Sequence, residues 1–303
     1  MRTVYLGTAE FAVVVLRRLA GSPHRPALVV TPPDRPKGRG RRVAPPAAAA
    51  AAREMELDVL QTESVNRPEA VERVRAAEPE LGVVCAFGQL IKDPLLPELE
   101  LLNVHPSLIP RWRGAAPIER AIMAGDRETG VTIMRVTEGL DSGPVALQAR
   151  TPIEPSDDHG SLSARLAELA ADLLLRAIDL RASGKLAYAE QDGSVATYAD
   201  KIAAEERRLD PERPAAELER AVRALNPHIG AYLELAGGER LGIRAAVAED
   251  GDGEPASLAA DRGALRLGCA EGVLRLVVVQ PPGKAPMEVD AYLRGHRVPQ
   301  LAA

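Results

Sequence analysis

The chain has 303 residues, of which 46% are hydrophobic and 27% charged, and its formal net charge is −5. This length predicts one large or two ordinary domains. The acidic balance excludes a wholly basic nucleic-acid binder but not a local basic patch. Cys85 and Cys269 are too far apart in sequence to indicate a disulfide framework or a zinc site. No segment has about 18 uninterrupted apolar residues, so we expect no membrane span and a cytoplasmic protein.

Strand-like and helix-like segments alternate through the first half of the chain. Short apolar runs predict strands at 3–6, 27–30, 57–60, 81–86, 101–105 and 131–136. Helical spacing of apolar residues predicts helices at 11–20, 45–56, 67–77 and 161–183. This alternation is typical of βαβ units, and it predicts an α/β fold with a mainly parallel sheet.

The pattern changes near residue 186. Residues 186–206 have no firm period, and one helix is predicted at 215–225. Short strands follow at 231–235, 241–247, 264–267 and 273–280, separated by Gly, Asp and Pro. Strands of this kind are typical of a small barrel or sandwich. We therefore predict a domain at 1–185, a linker at 186–205 and a second domain at 206–303.

Polar side chains stand at the end of the strand predicted at 101–105. Asn103 and His105 are two residues apart, so they point to the same face of that strand. The carboxyl end of a strand is where ligands bind in open α/β sheets. His105 can act as an acid or base, and Asn103 can donate to a developing oxyanion. A hydrogen-bonded histidine at a strand end is the plainer interpretation of the same residues.

A carboxylate follows in a glycine-flanked turn. Asp141 lies between Gly139 and Gly143, where it can orient an imidazole or hold a water. A turn-forming aspartate is again the plainer alternative. Together with Asn103, His105 and the loop at 107–113, it favours a catalytic set for acyl-group chemistry.

Three other chemistries are disfavoured by spacing. No His-x-x-x-His pair with a matching Glu is present, so no metal site is predicted. Ser107 and Ser142 lack a Gly-x-Ser-x-Gly elbow, so we expect the nucleophile to belong to a substrate. Gly7 stands alone where a dinucleotide fingerprint needs three spaced glycines, which argues against NAD.

A basic segment follows the second predicted strand. Five cations and Asp34 give residues 32–42 a net charge of +4, and Pro and Gly predict an irregular surface loop; the cations are Arg35, Lys37, Arg39, Arg41 and Arg42. Such a loop suits contact with phosphate groups. A solvated charge run is the alternative interpretation.

The run from Asn103 to Pro110, continued by Arg111–Ile118, resembles the folate-dependent formyltransferases. The resemblance extends over nearly the whole chain, including Gly7-Thr8, the basic segment, 139–143 and 280–287. It implies a Rossmann-like formyltransferase domain, a linker and an OB-like β-barrel domain that helps to bind tRNA.

The resemblance also implies the substrates and the roles of residues. The donor would be 10-formyltetrahydrofolate, and the acceptor the α-amino group of initiator methionyl-tRNA, for translation initiation. Asn103, His105 and Asp141 would be catalytic. We also expect no metal and a monomer. The folate would contact the segment after the strand, namely Ser107, Leu108, Ile109 and Pro110. The tRNA would contact the cations of the basic segment, namely Arg35, Lys37, Arg39, Arg41 and Arg42.

Two alternatives stay open. A formyltransferase of the same fold could act on an amino-sugar nucleotide or on glycinamide ribonucleotide, although the latter enzyme is usually a single domain. From another class, the chain could be a non-catalytic RNA-binding or folate-binding protein.

Overall fold

The computed structural model describes residues 1–37, 42–261 and 263–302. The chain forms two compact units. The first contains Met1–Gly114, Glu128–Pro152 and Ser163–Tyr198, and the second contains Ala115–Arg127, Ile153–Leu162 and Ala199–Ala303. None of the helices in the described ranges has the length and apolar character needed to cross a membrane.

The regular elements are numbered in chain order. They are β1 (Thr3–Gly7), α1 (Glu10–Ala20), β2 (Pro26–Thr31), β3 (Arg35–Lys37), β4 (Arg42–Ala44), α2 (Ala47–Glu54), β5 (Val59–Gln61), α3 (Pro68–Ala76), β6 (Leu81–Cys85), α4 (Leu95–Glu98), β7 (Leu101–His105), β8 (Arg113–Gly114), α5 (Pro117–Ala124), β9 (Glu128–Arg135), β10 (Val145–Pro152), α6 (His159–Ala182), β11 (Tyr198–Ala199), α7 (Ala215–Leu225), β12 (Ala231–Glu234), β13 (Arg240–Glu249), β14 (Leu258–Asp261), β15 (Ala264–Gly268), β16 (Val273–Gln280), β17 (Met287–Glu288) and α8 (Val289–Gly295).

A seven-stranded sheet organises the first unit, in the order β10-β9-β7-β6-β1-β2-β5. The strands from β7 to β5 are parallel, whereas β9 is antiparallel to both β7 and β10. Central strands such as β6 are almost entirely buried, as expected for a sheet covered on both faces. The predicted α/β fold with a mainly parallel sheet is confirmed.

An antiparallel sheet organises the second unit, in the order β12-β13-β16-β15-β14, and β17 pairs with β16. Helix α7 packs its apolar face, which includes Leu218, Val222 and Leu225, into the core of this unit. The predicted second domain of short β-strands is confirmed, and its sheet is antiparallel.

The prediction that the basic segment stays irregular is wrong for Arg35–Lys37 and for Arg42. Arg35 to Lys37 form β3, which pairs antiparallel with β4 from Arg42 to Ala44. The hydrogen bonds between two strands join backbone groups, so charged side chains do not prevent them. An edge strand also tolerates the missing N–H of Pro36. Arg39 and Arg41 lie outside the described residues.

Both cysteines are free and buried. Burial is the main cause that raises the pKa of the Cys85 thiol to about 12, and burial also raises the pKa of Cys269. Because the thiolate is the reactive form, we expect neither cysteine to react with Ellman's reagent in the native protein. Both should react after denaturation in guanidinium. Fast labelling of one thiol under native conditions would contradict this expectation.

Candidate active site

Strand β7 positions the first two residues of the candidate site. It lies between β6, to which it is parallel, and β9, to which it is antiparallel. His105 is buried at the carboxyl end of the strand, and Asn103 is half-buried two residues before it. Both side chains reach the same carboxylate, that of Asp141, so they share one face of the strand.

Asp141 lies in the turn between β9 and β10, with a φ of 45°. Its Oδ1 accepts a hydrogen bond from Asn103 Nδ2 at 3.1 Å, and its Oδ2 accepts one from the Gly114 backbone N–H at 2.9 Å. The same Oδ2 lies 3.6 Å from His105 Nδ1. The structure therefore brings together the amide, imidazole and carboxylate that the sequence predicted as a set.

The imidazole of His105 is oriented by the loop after β7. Its Nε2 lies 2.8 Å from the Trp112 carbonyl oxygen, which can only accept a hydrogen bond. Nε2 must therefore carry a proton, and in the neutral ring Nδ1 has none. The bare Nδ1 faces Asp141, and a second proton there would create a cation beside a carboxylate. Nδ1 is thus the nitrogen that can exchange a proton in this site.

Two residues of the segment predicted to contact folate are held inside the protein. Ser107 is fully buried, and its hydroxyl donates to the Arg111 carbonyl at 2.7 Å. Ile109 is also buried, and its N–H donates to the Thr132 hydroxyl at 3.2 Å. That hydroxyl in turn donates to the Ser107 carbonyl at 2.7 Å. These two residues therefore fix the loop on β9.

The other two residues of the segment are partly accessible. Leu108 and Pro110 are both half-buried, in alternation with the buried Ser107 and Ile109. Their apolar surface is the part of the segment that a ligand can contact.

The basic residues form a separate group. Arg35 and Arg42 are exposed on the β3–β4 ribbon, and Arg35 forms an ion pair with Glu63 at 3.2 Å. No hydrogen bond or ion pair between described residues joins this ribbon to Asn103, His105 or Asp141.

Gln191 is a site residue that the sequence did not reveal. Its Nε2 donates to the carbonyls of Asp141 at 2.9 Å and Gly143 at 2.6 Å. Its Oε1 accepts from Arg113 Nη2 at 2.7 Å and Nε at 3.1 Å. One side chain thus ties the turn that carries Asp141 to the loop after β7. It lies in the stretch predicted as a linker, where no periodicity or motif marks it.

We expect Gln191→Ala to lower the free energy of unfolding by about 1–3 kcal/mol, because it leaves the buried Arg113 guanidinium and two carbonyls without this partner. Urea denaturation would measure the change. Ser194→Ala is the matched control, since Ser194 is exposed three residues later and its hydroxyl donates to the exposed Asp192. Equal stability of the two variants would contradict the bridging role.

Within the part of the chain that the structure describes, one group of His and Glu side chains is close enough to hold a metal ion. It consists of Glu119, His159 and His228 and includes none of the residues above.

Two family profiles and many relatives match this chain. The profile of the family "Formyl transferase" matches residues 1–178, and that of "Formyl transferase, C-terminal domain" matches residues 201–297. A methionyl-tRNA formyltransferase from Methylococcus capsulatus is 45% identical over 299 residues, which are 98% of this chain and 97% of that protein.

Solved structures show the same fold. HypX from Aquifex aeolicus, in complex with tetrahydrofolic acid, matches with a TM-score of 0.65 and 20% identity. The match covers 97% of this chain but 47% of HypX, so the chain spans about half the length of that protein. An N-formyltransferase from Helicobacter canadensis, in complex with folinic acid and dTDP-3-aminofucose, has a TM-score of 0.65 and 13% identity over 91% of this chain and 97% of that one. The profile matches and the full-length similarity show that the chain belongs to the formyl transferase family, together with its methionyl-tRNA formyltransferase relatives.

Proposed function

We propose that the chain transfers the formyl group of 10-formyltetrahydrofolate to the α-amino group of initiator methionyl-tRNA. The observation that carries the proposal is the single carboxylate of Asp141, which holds Asn103 and faces His105 Nδ1. The 45% identity to a methionyl-tRNA formyltransferase supports the acceptor. Tetrahydrofolic acid bound to HypX supports the donor.

The geometry supports a mechanism in which the substrate supplies the nucleophile. The amino nitrogen attacks the formyl carbon, a C–N bond forms and the formyl oxygen becomes an oxyanion. Asn103 has two N–H donors, of which one is used by Asp141, so the other can stabilise the oxyanion.

Proton transfer completes the reaction. His105 Nδ1 takes a proton from the attacking nitrogen, and Asp141 stabilises the resulting imidazolium. The bond between the formyl carbon and the folate nitrogen then breaks, and the proton goes to that nitrogen. The products are formylated methionyl-tRNA and tetrahydrofolate.

We assign the folate to the segment Ser107–Pro110, with contact through Leu108 and Pro110, because these two have accessible apolar surface. We assign the tRNA backbone to the cations of the basic segment, namely Arg35, Lys37, Arg39, Arg41 and Arg42. Exposure of Arg35 and Arg42 supports the second assignment.

The decisive experiment measures formyl transfer from 10-formyltetrahydrofolate to methionyl-tRNA, with an amino-sugar nucleotide as the rival acceptor. The amino-sugar nucleotide is tested because the N-formyltransferase crystallised with dTDP-3-aminofucose has the same fold as this chain. We expect turnover with methionyl-tRNA and none with the nucleotide. The reverse result would replace the proposed acceptor, and no turnover with either would favour a binding protein.

Replacing Arg41 and Arg42 together by alanine should weaken tRNA binding and reduce its dependence on salt. Each lost phosphate contact lowers the slope of log K against log salt by about 1, so we expect a reduction of about 2. Filter binding over a series of salt concentrations would measure this slope. Arg17→Ala is the control, because Arg17 is an exposed arginine on α1 outside the basic segment. An unchanged slope would refute the role of the segment.

The remaining assignments follow from the same proposal. A translation substrate and two free cysteines fit a cytoplasmic protein, and we propose a monomer. The domain boundaries at 1–185, 186–205 and 206–303 stay predictions, which the profile matches at 1–178 and 201–297 support.

A further inference from the structure

Three side chains from distant parts of the sequence meet within the second unit. Glu119 lies in the first turn of α5, His159 is the first residue of α6, and His228 lies between α7 and β12. Glu119 Oε1 is 2.9 Å from His228 Nε2 and 3.6 Å from His159 Nε2. The two imidazoles stack, with 3.6 Å between ring centroids and 25° between ring planes. Both rings thus direct Nε2 towards one carboxylate oxygen.

We propose that Glu119, His159 and His228 form a binding site for a divalent transition-metal ion, with Zn²⁺ the best match. Two imidazoles and one carboxylate are a known zinc ligand set, which leaves a fourth position for water. Bonds of about 2.0–2.1 Å in tetrahedral geometry place ligand atoms about 3.3 Å apart. The observed separations of 2.9 and 3.6 Å lie on either side of that value, and all three ligand atoms lie within 4.8 Å of one another.

The charge balance of the cluster also favours a cation. The side chain of Glu119 is only 12% exposed, and its ion-pair partners among the described residues are the two histidines. A buried carboxylate is costly unless it is paired or bound to a metal, and the permanent cation that interacts with Glu119 is the guanidinium of Arg120, the next residue in the chain.

Binding requires a small rearrangement of one ring. Stacked imidazoles point their nitrogens in nearly the same direction, whereas metal ligands must converge on the ion. His228 is the most exposed of the three, with 34% of its side chain accessible, so it can turn without disturbing the core. The bound ion would join the starts of α5 and α6 to the segment after α7. The expectation that no metal site exists was based on sequence spacing, which cannot reveal ligands from three separate segments.

The experiment uses full-length protein without an affinity tag, freed of metal with a chelator. Calorimetric titration with Zn²⁺ should show one saturable site, and Co²⁺ should give the visible absorption of a tetrahedral complex. Glu119→Gln and His228→Gln should each weaken binding by more than about tenfold. His296→Gln is the matched control, because His296 packs on Tyr292 and is not part of the cluster. Circular dichroism would verify that the variants fold.

A second measurement does not depend on variants. X-ray absorption of the zinc-loaded unmodified protein should show two imidazole nitrogens around the ion. The proposal would be overturned if no saturable binding were seen. It would also be overturned if Glu119→Gln and His228→Gln bound zinc fully, or if the zinc spectrum showed no imidazole, and these two results would indicate an adventitious ion only. None of these measurements uses formyl transfer, so they test the metal site independently of the proposed function.

Discussion

Replacing His105 by glutamine is expected to lower kcat for formyl transfer by about 10²- to 10⁴-fold, with a much smaller change in KM for methionyl-tRNA. The glutamine amide can still donate to the Trp112 carbonyl, as His105 Nε2 does over 2.8 Å. What it cannot do is take up and release a proton as Nδ1 does beside Asp141. Steady-state kinetics of formyl transfer would measure both constants.

The other two members of the set give companion results. Asn103→Ala should lower kcat by about 10²- to 10³-fold, since an oxyanion donor is lost. Asp141→Asn should also lower kcat strongly, although asparagine has nearly the same shape as aspartate. Both carboxylate oxygens accept N–H groups, from Asn103 and Gly114, and an amide would direct its own N–H groups at one of them.

His296→Gln is the control for these measurements, because it removes an imidazole that stacks on Tyr292 outside the site. Near-normal turnover in His105→Gln, Asn103→Ala and Asp141→Asn together would remove the basis for the assigned catalytic set.

Gly143→Ala is expected to destabilise the protein by about 1–3 kcal/mol, the typical cost of overpacking that forces a backbone shift. A methyl group at this position would collide with the Arg135 carbonyl oxygen and lie 3.0 Å from its carbon. Backbone at the end of β9 cannot rotate away as a flexible side chain could. Because the Gly143 carbonyl also accepts from Gln191 at 2.6 Å, the shift would disturb the turn that carries Asp141. Urea denaturation and kcat would both report the change.

Gly193→Ala is the matched control for this substitution. It adds the same methyl group in the same unit, where no described atom beyond the two neighbouring residues lies within 4 Å. We expect its stability and turnover to stay close to those of the unmodified protein. If the two alanine variants were equally stable, the close approach at Gly143 would not matter for the fold.

The sequence was most informative where burial imposes a pattern. The apolar run at 101–105 predicted β7 with the bounds that the structure has, and the helix at 215–225 was likewise predicted correctly. Strand β10 was missed because Gln148 and Arg150 are exposed on it and interrupt its apolar pattern. Helix α8 was also missed, and at seven residues it is too short to show a clear period.

The candidate site was predictable only in part. Strand periodicity predicted that Asn103 and His105 share one face. The glycine-flanked turn marked Asp141 as a candidate. Gln191 acts through two carbonyls and one guanidinium, contacts that depend on the folded backbone and leave no pattern in the sequence. The cluster of Glu119, His159 and His228 was missed for a related reason, because each ligand comes from a different segment.

The second unit is built from three separate stretches of the chain, which affects how it folds during synthesis. Helix α5 packs against α7, and Arg220 Nε donates to the Met123 carbonyl at 3.1 Å across 97 residues of sequence. Met123 of α5, which packs against the core that α7 helps to form, therefore leaves the ribosome well before that helix. At about 5–20 residues per second, the delay is about 5–20 seconds. During that time the nascent chain carries an uncovered apolar helix, the kind of surface that chaperones bind.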